Sequence, residues 1–517
     1  VTGLGLLALL AVGAPAGAEH GTPGTTQLIS RATGLTTVPS ATTNNSFLGE
    51  DPSGNYNAAG RTISGDGNRI VFASDADGLS PLDDNRFRNI FVRDRSTQTT
   101  FLVSRGNGPS GAAANNDSWE PTISQDGLKV AFTTKASNLG DGAPTNNNEK
   151  IYVRTISTGA NDFASQATGT SGPFATTFTG QPSLDEHGAK VAFATFSALD
   201  ATDGVFPSDF DRDVYVRTLA TDTTTLVSRA DGVAGAAGNG ESRAPSISGD
   251  GTHVAFDSTS SNLIGAADTN TKRDVFVRDL GTGTTVLASR ATTAGGALGN
   301  GDSVYPSLSF NGSKVAFGSV ATNLDADATS GTNVFVRDLA GSTTVLASRK
   351  NGSTGAQVNF SNQFQAPALS SDGTTVAFTA GGAGVDPTIG DPPGFSTFVR
   401  VLATGVTRLA SRAAAAVPPD GLSFSPSLSA DGTLVVFDSL ARNLGTDADT
   451  AFRGVYLRDL ANSTTKSIVR PGMDSVPFAN SGLDSSDSAP TGVSSDGRYV
   501  VFSSRADWIS SADDNAF

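Results

Sequence analysis

Cysteine is absent from all 517 residues. That excludes disulfides, thiolate metal sites, cysteine nucleophiles and a lipid-modified cysteine anchor. Histidine occurs only as His20, His187 and His253. A histidine-based triad or a zinc centre therefore has little to draw on. No glycine-rich phosphate loop opens a helix, and long helix-forming runs are missing. Positive charge is also scarce: 35 Lys and Arg stand against 50 Asp and Glu, a net charge of −15. Nucleic acids and anionic lipid surfaces both require clustered basic residues, so neither is expected as a partner.

Beyond the first residues, no apolar run is long enough to cross a membrane. The exception is "LGLLALLAVGAPAGA", Leu4 to Ala18. It ends in small residues, and Ala16-Gly17-Ala18 fits a signal-peptidase site with Glu19 starting the mature chain. Residues 1–18 are thus expected to be a signal peptide, truncated because no basic stretch precedes it. The other reading of the run is a buried apolar segment. With the leader set aside, an extracytoplasmic protein is expected, periplasmic or secreted.

What is abundant is Gly, Ser, Thr, Asp and Asn, with 37% hydrophobic residues, which favours an all-β chain rich in turns. The turns repeat. "SGDGNRIVF" (64–72), "SQDGLKVAF" (124–132) and "SGDGTHVAF" (248–256) are three of eight copies. Their glycines, Gly67, Gly127, Gly188, Gly251, Gly312, Gly373, Gly432 and Gly497, lie 59 to 65 residues apart. A Phe follows each Gly by five residues, as in Phe72, Phe132 and Phe256. Asp-Gly between two β-patterned runs is a hairpin turn, because Gly tolerates positive φ. Each copy reads as four strands: A as in "APSIS" (244–248), B "HVAFDS" (253–258), C "DVFVRDL" (274–280) and D "TTVLASR" (284–290).

Four antiparallel strands repeated eight times predict the blades of a β-propeller. From the strand-C arginine to the end of strand D is 12 residues in seven copies, so the A–B and C–D hairpins are constant. Length varies in the B–C and D–A connections, which leave a meander on one face. Variable loops on a rigid scaffold are where binding usually resides. "TTQLISR" (25–31) is a D strand without A, B or C before it, within a segment, 19–59, of closing strand and loop. The repeats proper occupy 60–517 and finish with an A and a B strand. The expected ring has eight blades. Its last is completed by the N-terminal strand and lacks one C strand, as in a sequence cut at both ends.

The combined pattern "PSxSxDGxxVAFxSxxSNL…DVFVRDLxTGTTxLxSR" resembles the TolB-like, WD-like propeller repeats of exported bacterial proteins. The likeness covers about residues 25–517. It implies a periplasmic or secreted protein that binds partners, and it brings no catalytic residues. The Tol protein of that family carries an N-terminal α/β domain, and nothing in this sequence occupies that place.

Three residue sets are candidates for chemistry. Arg93, Arg154, Arg217, Arg278, Arg337, Arg400 and Arg458 stand in strand C of seven copies. Catalysis needs one asymmetric site, so these are expected as struts between blades, with heads on carboxylates or carbonyls. The D-strand arginines are expected to pair across the hairpin, Arg229 with Asp213 and Arg290 with Asp274. The acidic B–C loops offer Asp83 and Asn85, Asp209, Asp211 and Asp213, and Asp268, Asn270 and Asp274. Their spacing is compatible with Ca²⁺, which takes six to eight oxygens. It is equally that of side chains turning their own backbone. No other cofactor is expected. The function expected is a monomeric, non-enzymatic exported propeller. It would bind a protein or other ligand through its variable acidic face. The alternatives are a carbohydrate hydrolase or lyase with an axial site, and a calcium-dependent adhesive protein.

Overall fold

A computed structural model describes residues 6–11, 26–29, 46–47 and 61–504, apart from 77, 84–85, 141, 143, 202, 204–210, 266–267, 359–365, 414–415, 445–453 and 468–491. The described strands form eight four-stranded antiparallel sheets. Blade 4 shows the plan: A (Ser242–Ile247), B (His253–Ser258), C (Asp274–Asp279) and D (Thr285–Leu287), paired in that order.

The turn glycines have φ between +58° and +72°, a conformation that suits Gly. The turn aspartate then serves the backbone: Asp250 accepts from Ser248 Oγ (2.6 Å) and from Thr252 N (3.0 Å). These turns also meet one another. Gly65 N donates to Gln125 O, Asp126 N to Glu186 O, Glu186 N to Gly249 O and Asp250 N to Phe310 O. The circuit continues from Phe310 to Ser371, Ala430 and Ser495, and Ser495 N returns to Gly65 O at 2.9 Å. Eight A–B turns thus form one closed backbone ring, which places the A strands innermost and fixes the blade count.

The core lies between blades. In blades 1 to 7 the strand-B Phe stacks on the aromatic residue opposite it in strand C, as in Phe72–Phe91 at 5.7 Å and Phe256–Phe276 at 5.8 Å. Alternation along the strands puts these rings on one face. Burying each Phe contributes roughly 1.5–3 kcal/mol.

The expectation that the eighth blade lacks a C strand is corrected. Leu6–Ala11 fills that place, pairing with Tyr499–Ser504 on one side and Thr26–Leu28 on the other. The physical reason is that a sheet position demands backbone groups and strand length, and six apolar residues without Gly or Pro satisfy both. The residues read as the core of a leader are those that fill the slot.

Candidate binding site

Strand-C arginines do their work between blades. Arg278 is 2% exposed. Its Nη1 donates to Ala230 O (3.1 Å) and Thr285 Oγ1 (2.7 Å), and its Nη2 to Gly232 O (2.9 Å). Arg154, Arg217, Arg337 and Arg400 reach the corresponding carbonyls of the preceding blade, and Arg217 also pairs with Asp222 at 2.8 Å. Burial, then the neighbouring Arg229 charge, lowers Arg278 to about 10, which leaves it protonated at neutral pH. Arg93 and Arg458 bond Thr100 and Thr465 of their own D strands.

The carbonyls belong to D–A connections, and this alters the picture of a variable face. After strand D each connection descends along the next blade to its C–D turn. Gly232 N donates to Gly283 O at 2.8 Å, Gly108 N to Gly159 O, and Thr293 N to Ser342 O. A side chain one residue earlier caps the next D strand: Asp231 accepts from Thr285 N, and Asn351 from Thr407 N. In five interfaces the D–A connection is therefore a clamp. Sequence reasoning passed over it, although its signal was present. A Gly six residues after the last residue of strand D (Arg105, Gln166, Arg229, Arg290 or Arg349) recurs at Gly111, Gly172, Gly235, Gly296 and Gly355, and at four of these a Cβ would lie 2.0–2.1 Å from a backbone carbonyl.

The pairing expected for the D-strand arginines is corrected too. Ser228 and Ser289, not the arginines, bond Asp213 and Asp274. The arginine is one residue further on and alternation turns it away. Arg229 holds Gly235 O and lies 3.4 Å from Asp200, and Arg290 holds Gly296 O.

The candidate calcium residues divide. Asp209 and Asn85 lie outside the described residues. Asp83 accepts from Asn89 at 3.2 Å. Asp211 stands just before strand C of blade 3, and Asp213 begins that strand. Asp268, Asn270 and Asp274 do come together, and the two acids are buried. Asn270, however, donates its amide nitrogen to Asp274 (2.6 Å) and gives its oxygen to Lys272 N (2.8 Å). Burial, with the Asp268 carboxyl adjacent, pushes Asp274 up to about 7. The amide oxygen of Asn270 is thus engaged with the backbone rather than turned toward the two acids. Among the described residues no group of three or more His, Cys, Asp or Glu could hold a metal ion.

One cluster breaks the repeat. Glu241, just before strand A of blade 4, bonds Arg212 and Arg273, which stand just before strand C of blades 3 and 4. Arg273 Nη1 also reaches Asp257 at 2.9 Å, and Arg243 Nε reaches it at 3.1 Å. Asp257 in turn accepts from Tyr305 N of blade 5 at 3.3 Å. Arg212 lies over Phe178 and Phe196, 5.2 and 5.5 Å from their ring centroids. Arg243 lies on an innermost strand, so the group sits at the mouth of the axis on the B–C loop end. Burial alone would raise Glu241, but Arg212 and Arg273 outweigh it and hold the carboxyl below the usual range. Burial pushes the Asp257 carboxyl up against the pull of Arg243 and Arg273. Arg243 keeps its two terminal nitrogens free of hydrogen-bond partners among the described residues. The sequence signal was small: Asp257 follows Phe256 where blades 1, 2, 3, 5 and 6 have Ala73, Thr133, Ala194, Gly318 and Thr379, and only blade 7 has an acid, Asp438, at the same place.

Comparison with known proteins finds no matching family model and no matching curated protein. Solved structures do match. TolB from Acinetobacter baumannii is 14% identical with a TM-score of 0.32, and the match covers 62% of this chain and 58% of that one. The fold, read from the chain's own sheets, is a β-propeller. The chain is also similar to an oligogalacturonate lyase solved with manganese (12% identity, 80% and 90% coverage, TM-score 0.42). The propeller domain of the Trilobed protease from Pyrococcus furiosus is another (10%, 83% and 99%, 0.41). The match spans less than two thirds of the TolB chain, and at these identities the fold alone is shared.

Proposed function

We propose that this TolB-like propeller is an exported, non-enzymatic binding module whose partner docks on the B–C loop end, over Arg212, Arg243 and Arg273. The observation that carries this reading is the charged cluster that joins blades 3 and 4 and touches blade 5. A repeated scaffold needs no such group in one place. Around it the same end exposes Asp117, Asp302, Asp327, Asp391 and Asp420. A complementary partner presents an acidic group to the centre and basic groups to the rim. The inner carboxylates support binding rather than hydrolysis. Glu120 accepts from Thr133 Oγ1 and Gln181 N, both at 2.9 Å, and Asp257 is held by two arginines. Export rests on the resemblance of the repeat pattern to that of exported bacterial propeller proteins. No helix among the described residues is long and apolar enough to cross a membrane.

The test is capture from envelope extract with the full chain as bait. Arg243→Glu is expected to lose the captured partner, and Thr282→Lys, on the opposite end, to keep it. Equal capture by both variants would remove the mouth from consideration. Fractionation of cells carrying a C-terminally tagged chain tests export separately.

A further inference from the structure

The third strand of the eighth blade stands apart from the other seven. Register sets each strand-B Phe opposite a Phe or Tyr of strand C: Phe72 faces Phe91, Phe132 faces Tyr152, and Phe256 faces Phe276. In blade 8 the same register sets Phe502 opposite Ala8. Two residues earlier on strand B, a Val or Ile faces the strut arginine, as Ile70 faces Arg93 and Val254 faces Arg278. In blade 8 Val500 faces Leu10. The strand Leu6–Ala11 therefore brings neither the ring nor the guanidinium that its seven counterparts bring.

Its neighbours do follow the repeat. Tyr499–Ser504 carries the buried Phe502, and Leu28 pairs with Ala8 as Leu102 pairs with Phe91. The slot is thus shaped on both sides for a strand of the repeat's own C pattern. What fills it matches that pattern in length and apolarity only.

We infer that the slot between Tyr499–Ser504 and Thr26–Leu28 is a strand acceptor. Its occupant is an extended peptide segment of the pattern [VI]-[FY]-V-R, which replaces Leu6–Ala11. The backbone ladder supplies affinity, and alternate side chains supply selection: the aromatic ring against Phe502, the arginine opposite Val500. A stacked aromatic pair favours the matching strand about 2- to 12-fold beyond the area it buries. A charge-assisted hydrogen bond from the arginine favours it at least about tenfold. Either term is enough to decide between two strands with equal backbone bonds.

The experiment uses the full chain and a fluorescein-labelled peptide of residues 88–96, RNIFVRDRS. Fluorescence anisotropy is expected to show saturable binding of one peptide per chain. Leu9→Pro, which removes a ladder hydrogen bond from the resident strand, is expected to tighten it about tenfold. A peptide carrying Phe91→Ala and Arg93→Leu is expected to bind at least about tenfold more weakly. Should Leu9→Pro fail to fold, hydrogen exchange on the unaltered chain decides. Added peptide is expected to expose the amides of residues 6–11 while those of 499–504 stay protected. Absence of binding to a cooperatively melting chain overturns the inference. So does equal binding of the substituted peptide, or dimerisation of Leu9→Pro without peptide uptake.

Discussion

The guanidinium of Arg278 donates to the carbonyl of Gly232, 2.9 Å away and in the preceding blade. The bond joins two blades through a loop, and the same head holds Ala230 O and Thr285 Oγ1. Removing it leaves buried acceptors without a donor. Arg278→Ala is expected to cost about 3 kcal/mol, and Arg278→Lys, which keeps the charge but loses the planar fork, about half of that. Arg408→Ala, on an exposed part of strand D, is expected to stay within about 0.5 kcal/mol. Urea denaturation at neutral pH measures all three.

Thr293 occupies the clamp position that Gly108, Gly169, Gly232 and Gly352 hold elsewhere, at φ +92°. A β-branched residue is strained there, so Thr293→Gly is expected to stabilise the protein by about 1 kcal/mol. Gly232→Ala, at φ +89°, is expected to destabilise it by about as much. Opposite shifts in melting temperature check the pair of variants.

Asp274 gives stability a pH dependence. Burial holds its folded pKa up to about 7, whereas an unfolded aspartate titrates near 4 (~3.9). The folded state therefore binds the extra proton. Its stabilising effect is complete below about pH 4, falls as pH rises, and is gone above about pH 7. Asp274→Asn, which installs the residue found at Asn89 and Asn333, is expected to flatten this dependence. At pH 8 it should gain on the order of 2 kcal/mol. Melting curves at pH 5 and pH 8 decide; an unchanged difference between them would refute the assignment.

In the loop of Asp268, Asn270 and Asp274 the Asn270 amide is spent on Asp274 and on Lys272 N. Calorimetric melting is accordingly expected to be the same in EDTA and in millimolar calcium. A calcium-dependent rise of several degrees would show that the loop rearranges around the ion.

The strand-C arginines of blades 2 to 6 were legible as struts because their type and spacing repeat, and the eight glycines because a tight hairpin requires positive φ. The clamp was harder to see. Its Gly pair recurs, but it sits in a connection whose overall length varies, so the alignment favoured the strands. The mouth cluster had almost no sequence signal. Arg212 and Arg273 are 61 residues apart with Glu241 between them, and only the packing of blade 4 on blade 3 brings all three together.

By itself the sequence determined the strand pattern, the fixed hairpins and the four-stranded blade, because these depend on alternation and turn chemistry over a few residues. Tertiary structure decided the rest. It chose Leu6–Ala11 for the open strand position and turned five D–A connections into clamps. It also set three arginines around two carboxylates at the mouth of the axis. Those outcomes depend on contacts between blades, about sixty residues apart in sequence, and no local pattern specifies which side chains meet across them.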